Sequence, residues 1–312
     1  MSGPFVLVPK VITDAMLSSS TIPEPAAGET LWNAATSYTV GQEVILASTH
    51  RVYENLIAGV SAVSPDVAVT QSPSRWLDKR PTLRWAAFDS YVTTQSTGTT
   101  SITYVLRPGL FNALVMYGLE GGSYSISIKD APGGTVFFAQ SGDLQEPPLD
   151  YYDYYFGVIK SLSKLIVKSI FPQADPEVTI TLTSGSGSPV KVGMIVLGDL
   201  RSIVSEDLVG GVQYNPQAKP TTTSLFINDG FGGTKIVRRT KATDMDFEAL
   251  LDQADADSAL YTLQDVLDVP AAWIASDEKG YAGLNVFGLA SGAVKYAGPT
   301  HAYLTISVKG LF

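Results

Sequence analysis

Trp32-Asn-Ala-Ala-Thr-Ser-Tyr38-Thr-Val-Gly41-Gln-Glu-Val44-Ile-Leu46 opens the most specific stretch of this chain, which continues through Arg51-Val-Tyr53 to Pro65, Pro73 and Trp76. Gly41 supplies the backbone freedom that a tight turn needs, and Val44 and Leu46 alternate with Ile45 across the two faces of a short strand. Arg51-Val-Tyr53 reads as the returning strand of that hairpin. A segment this short cannot fill a core with aliphatic side chains, so two Trp and two Tyr are expected to fill it.

The spacing Trp32-x5-Tyr38-x2-Gly41-x2-Val44, followed by Tyr53 and a Pro73-x2-Trp76 ending, resembles the chitin-binding type-3 module (carbohydrate-binding module family 5/12) over residues 29–80. The resemblance implies a small three-stranded module of the kind found on secreted chitinases and as an accessory domain on bacteriophage tail proteins. It makes Trp32, Tyr38, Tyr53 and Trp76 the candidate carbohydrate-binding residues. After the second-strand Tyr the family often shows aromatic side chains that stack on sugar rings, and this chain reads Leu56-Ile57 there. That departure favours core staples over sugar contact for the four rings.

The surrounding composition suits more than this module. A chain of 312 residues accommodates two or three domains, and 45% hydrophobic residues are ample for their cores. Only 16% are charged, which is expected of surface covered by other chains. The net charge of -9 argues against nucleic acid as a partner, because phosphate binding needs clustered Lys and Arg. No apolar run is long enough for membrane insertion as a helix, and the first residues lack the pattern of a secretory signal. The absence of Cys removes disulfides, thiol nucleophiles and thiolate metal sites together. A virion component made in the host cytoplasm fits this profile, as do many cytosolic proteins.

Residues 1–28 read as an arm and linker. Phe5, Val6, Leu7 and Val8 form one apolar strand without a local partner, ahead of Ser18-Ser-Ser-Thr-Ile-Pro-Glu-Pro25. They are expected to dock on another domain or another subunit, so that deleting residues 1–20 weakens assembly and leaves each domain folded; a frayed end is the alternative. Residues 81–200 read as a jelly-roll-type β-sandwich. Its expected strands include Arg84-Trp-Ala-Ala-Phe88, Thr100-Ser-Ile-Thr-Tyr-Val-Leu106, Ala113-Leu-Val-Met-Tyr117, Tyr124-Ser-Ile-Ser-Ile128, Thr135-Val-Phe-Phe138 and Glu177-Val-Thr-Ile-Thr-Leu182. Asp150-Tyr-Tyr-Asp-Tyr-Tyr-Phe156, behind Pro147-Pro148, reads as a loop. Its Tyr151, Tyr152, Tyr154 and Tyr155 suit a protein interface more than a sugar surface. Residues 201–224 read as a linker, and 225–312 as a β-rich domain with one or two short helices. Phe247-Glu-Ala-Leu-Leu251 and Asp257-Ser-Ala-Leu-Tyr-Thr-Leu263 are the expected helical turns. Phe231-Gly232 before Ile236-Val-Arg238-Arg, Pro270-x2-Trp273, Tyr281 with Phe287-Gly288 and the alternating end of the chain loosely resemble the bodies of tailed-phage virion proteins.

Little here suggests chemistry. His50 and His301 stand apart from other metal-type ligands, and His50 beside Arg51 reads as a solvated loop residue. No Gly-x-Ser-x-Gly or Walker-type loop is present. The acidic groups Asp244, Asp246, Glu248 and Asp252, Asp255, Asp257 read as a solvated face rather than a glycosidase pair or a calcium loop. The sequence therefore predicts a mainly β, non-enzymatic structural protein of a bacteriophage tail, baseplate or fibre attachment, without catalytic residues, metal or cofactor. Its expected partners are copies of itself, other virion tail proteins and host surface polysaccharide. The alternative is a polysaccharide-processing enzyme with an accessory binding module.

Overall fold

The computed structural model describes residues 4–311 except 146–149, 158–160, 186, 188, 205–210, 214, 223, 229–232, 238–240, 277 and 279. Pro147-Pro148, Gly210, Phe231-Gly232 and Arg238-Arg239 lie outside the described residues. The fold is mainly β, with antiparallel pairing throughout its named sheets.

Its centre is the short strand Phe5–Pro9, which pairs antiparallel with Met194–Ser202 on one side and Ala271–Ile274 on the other. It is the seam of a 10-stranded sheet that begins in the sandwich, at Lys164–Val167, Ala113–Tyr117 and Met194–Ser202. The sheet continues into the C-terminal part through Ala271–Ile274, Asn285–Tyr296, His301–Gly310 and Lys241–Asp252. Phe5 and Leu7 face one way, into a core with Val115, Tyr117, Ala272 and Ile274. Val6 faces the other way, towards Trp273, Leu304 and Met245. A strand covered on both faces has no polar side to alternate with, so it reads as an uninterrupted apolar run. Of the two expected docking places, another domain or another subunit, Phe5, Val6, Leu7 and Val8 take the first, and the alternative of a frayed end is set aside.

The sandwich pairs one half of that sheet with a five-stranded sheet. Its order is Val136–Asp143, Ser123–Lys129, Glu177–Thr183, Ser101–Leu106 and Leu17–Ser20. Strict alternation puts Ile102, Tyr104, Leu106, Ile126, Ile128, Ile180 and Leu182 against Leu114, Met116, Ile195 and Leu197 of the facing sheet. The chain crosses from sheet to sheet between Ser101–Leu106 and Ala113–Tyr117 and back to Ser123–Lys129, as a jelly-roll-type sandwich requires. One expected strand and one expected linker differ. Residues 86–88 form a 3-10 turn, and the linker after residue 16 contributes Leu17–Ser20 to the sheet edge.

In the C-terminal part the helix Ala256–Val266 lays Ala256, Ala259, Leu263 and Val266 on the sheet. The expected turn at residues 247–251 is instead the middle of the 12-residue strand Lys241–Asp252. Met245, Phe247, Ala249 and Leu251 are buried while Asp244, Asp246, Glu248 and Leu250 face outward, a period of two that outweighs the helix propensity of Glu-Ala-Leu-Leu. Residues 201–224 are more than a crossing, because Gln217–Thr222 pairs along Lys241–Asp252.

The 10-stranded sheet curls enough for its first strand to meet its far half. Lys164 Nζ donates to the carbonyl of Ala282 at 3.1 Å and to that of Asn285. Beside it, the buried Tyr117 hydroxyl donates to Asn285 Oδ1 at 2.7 Å. Burial pushes the Lys164 ammonium down to about 8.

Candidate functional site

Besides the strand Phe5–Pro9, two regions carry the sequence-predicted site residues. The first is the small module, a three-stranded sheet of Glu43–Leu46, Arg51–Asn55 and Trp76–Pro81 with the short pair Ser37–Tyr38 and Gly59–Val60. Its core is Tyr38, Val44, Tyr53, Ala68 and Trp76, with Trp32 packed against it. The Tyr38 and Trp76 rings meet edge to face at 5.3 Å. Tyr38 Oη accepts from the Asn33 N–H at 2.7 Å and donates to the Asn33 carbonyl at 3.0 Å. Trp76 Nε1 donates to Ser61 Oγ at 3.0 Å. Burial raises the Tyr53 pKa, opposed by its hydrogen bond with Thr49.

Tyr38, Tyr53 and Trp76 are therefore no sugar platform, since a ring enclosed on both faces has none to offer. Trp32 is half-buried, and its Nε1 is enclosed with no hydrogen-bond partner among the described residues. The rim that would stack on sugar holds exposed Leu56 and Ile57 instead.

The module is also clamped to the body at a point the sequence reading missed. His50, at the hairpin tip with a positive φ of 55°, stacks on Trp85 at 4.3 Å. Its Nδ1 lies 3.0 Å from the buried carboxylate of Glu24, and its Nε2 lies 3.6 Å from Asp14. Glu24 also accepts from Thr82 Oγ1 at 2.7 Å, and Glu29 accepts from the Leu83 N–H at 2.8 Å. The solvated-loop expectation for His50 is thus corrected. Its partners lie far away in sequence, so no local spacing signalled them.

The second region is the helix Tyr151–Phe156, where a loop was expected. The side chains of Tyr151, Tyr152, Tyr154, Tyr155 and Phe156 stand 68–86% exposed. Tyr152 meets Phe156 at 5.4 Å, and Tyr154 meets Tyr155 at 5.0 Å. The acidic residues singled out in the sequence lie elsewhere, on the strand Lys241–Asp252 and the turn and helix after it. Asp246 is held below the usual carboxylate range by Lys219 and then Ser307, and Asp244 accepts from the Gly310 N–H. Among the described residues no group of three His, Asp or Glu side chains is placed to hold a metal ion, and no helix is long and apolar enough to cross a membrane.

No family model matches the sequence. No curated protein matches it either. Among solved structures, this chain is similar to a chitosan-binding module of a chitosanase/glucanase from Paenibacillus sp. IK-5, at 10% identity. The match covers 36% of this chain and 82% of that one, with a TM-score of 0.25.

Proposed function

We propose that this chain is a non-enzymatic structural component of a bacteriophage virion, in the tail, the baseplate or a fibre attachment, and that it assembles as a homo-oligomer. The observation that carries the reading is the helix Tyr151–Phe156, with five aromatic side chains displayed on one short element. Rings left in water are costly, whereas Tyr is cheap to order on binding because few bonds become fixed. At least two of the four tyrosines are therefore covered by another polypeptide, a second copy or a neighbouring tail protein. The small module keeps a three-stranded, chitin-binding-like build, and host glycan is a further partner in this reading.

Two measurements test this. Mass spectrometry of purified particles is expected to find the chain as a stoichiometric component, and its absence from them contradicts the virion role. The combined variant Tyr152→Ala with Tyr155→Ala is expected to keep its fold and lose its oligomeric state. An unchanged oligomer contradicts the aromatic interface.

A further inference from the structure

The five-stranded sheet ends on Val136–Asp143, and among the described residues no strand pairs with its outer edge. This edge is unlike the other sheet margins. Leu17–Ser20 and Lys164–Val167 have 4 residues each, and Gly211–Val212 has 2. Gln217–Thr222 carries Lys219 and Pro220. Shortness, lysine and proline are the means by which an edge is kept from pairing with another chain. Val136–Asp143 has 8 residues, no proline, no lysine and a single charge at its last position. Its one irregularity is a bulge at Phe137, since Ile128 pairs with Phe138 and Lys129 with Val136. The bulge sits at one end and leaves 138–143 in regular register.

We propose that this edge pairs with the same strand of a second copy, antiparallel about a two-fold axis through Gln140. The proposal rests on the homo-oligomer reading above and names its surface. A two-fold axis perpendicular to a sheet sets inward residues opposite inward residues, so only alternate registers are available. Centring on Gln140 gives an overlap over 138–142, clear of the bulge and of buried Leu144, whose carbonyl already accepts from the Leu162 N–H; centring on Ser141 gives an overlap of the same length but brings Asp143 into it. In that register Phe138 stands opposite Gly142, Ala139 opposite Ser141, and Gln140 opposite its own copy. The one large apolar side chain, Phe138, meets a glycine, and residues 138–142 carry no charge to repel across the axis. Asp143 falls opposite the bulged Phe137. Over 138–142 the outward backbone groups of each strand find their partners in the other, and the five-stranded sheets become one.

The chain has no cysteine, so single cysteines report pairing cleanly. Gln140→Cys under mild oxidation is expected to give a disulfide-linked dimer. Tyr261→Cys, exposed on the helix Ala256–Val266, is expected to stay unlinked. Should Gln140→Cys fold poorly, Ala139→Cys mixed with Ser141→Cys tests the same register at exposed positions. Ala139→Lys combined with Ser141→Lys sets ammonium groups against each other and is expected to weaken association at least tenfold with an unchanged circular dichroism spectrum. If the cysteine variants link no better than Tyr261→Cys, or the lysine variant associates normally, while the parent protein remains oligomeric, the edge proposal is overturned and the homo-oligomer reading stands. A parent protein that stays monomeric at every concentration overturns both.

Discussion

Trp76 is enclosed by Tyr38, Tyr53 and Val44 and tied to Ser61, so removing its ring leaves a void that three short strands cannot close. Trp76→Ala is expected to unfold the small module at a cost of about 3 kcal/mol or more, read as loss of near-ultraviolet dichroism and early protease cleavage within 29–80. A folded Trp76→Ala that has lost only glycan binding would contradict this. Lys164 makes the second residue-scale prediction. Its folded pKa of about 8 lies below the roughly 10.4 of an unfolded lysine. Between those values the unfolded chain binds more protons, so stability rises with pH through that window, and the cost of burying the charge is fully present below pH 8. Urea titrations from pH 7.5 to 10 are expected to show that rise in the parent protein and a flatter profile in Lys164→Met. Equal slopes would show that Lys164 does not titrate there. Tyr38, Tyr53 and Trp76 were legible as core residues because a short module has nothing else to fill it. His50 was not, because Glu24 and Trp85 reach it only through the tertiary fold.

The strand Phe5–Pro9 is the element on which the body depends. Val6 and Leu7 are fully enclosed, one facing each core, and the backbone pairs on both sides. Leu7→Ala is expected to cost about 2–5 kcal/mol, and deleting residues 1–20 to unfold the body rather than merely weaken assembly. Chemical denaturation of both variants checks this, and a deletion that melts like the parent would contradict it. The apolar run at residues 5–8 showed in the sequence that a strand needed partners, although pairing at such sequence separation leaves no local mark of which ones. At residues 247–251 local propensity pointed to a helix, and the alternation of Met245, Phe247, Ala249 and Leu251 with acidic neighbours decided otherwise. For residues 257–263 propensity and packing agree, and the helix Ala256–Val266 is present.

At the scale of the molecule, one curled sheet joins the sandwich to the C-terminal part, and the small module is clamped on through His50 and Glu24. What the single chain leaves uncovered is specific: an unblunted sheet edge at Val136–Asp143 and an aromatic helix at Tyr151–Phe156. The β-rich build was legible from alternation and turn spacing. The proposed assembly has only low charge and a tyrosine cluster behind it in the sequence, because a surface that a second chain would cover leaves no local mark of its partner. The most direct test of the account is sedimentation equilibrium of the purified protein, beside the variant Tyr152→Ala with Tyr155→Ala. The account predicts a discrete multiple of the chain mass for the parent protein and a smaller species for the variant. A monomer in both samples, up to the highest concentrations reached, would contradict it.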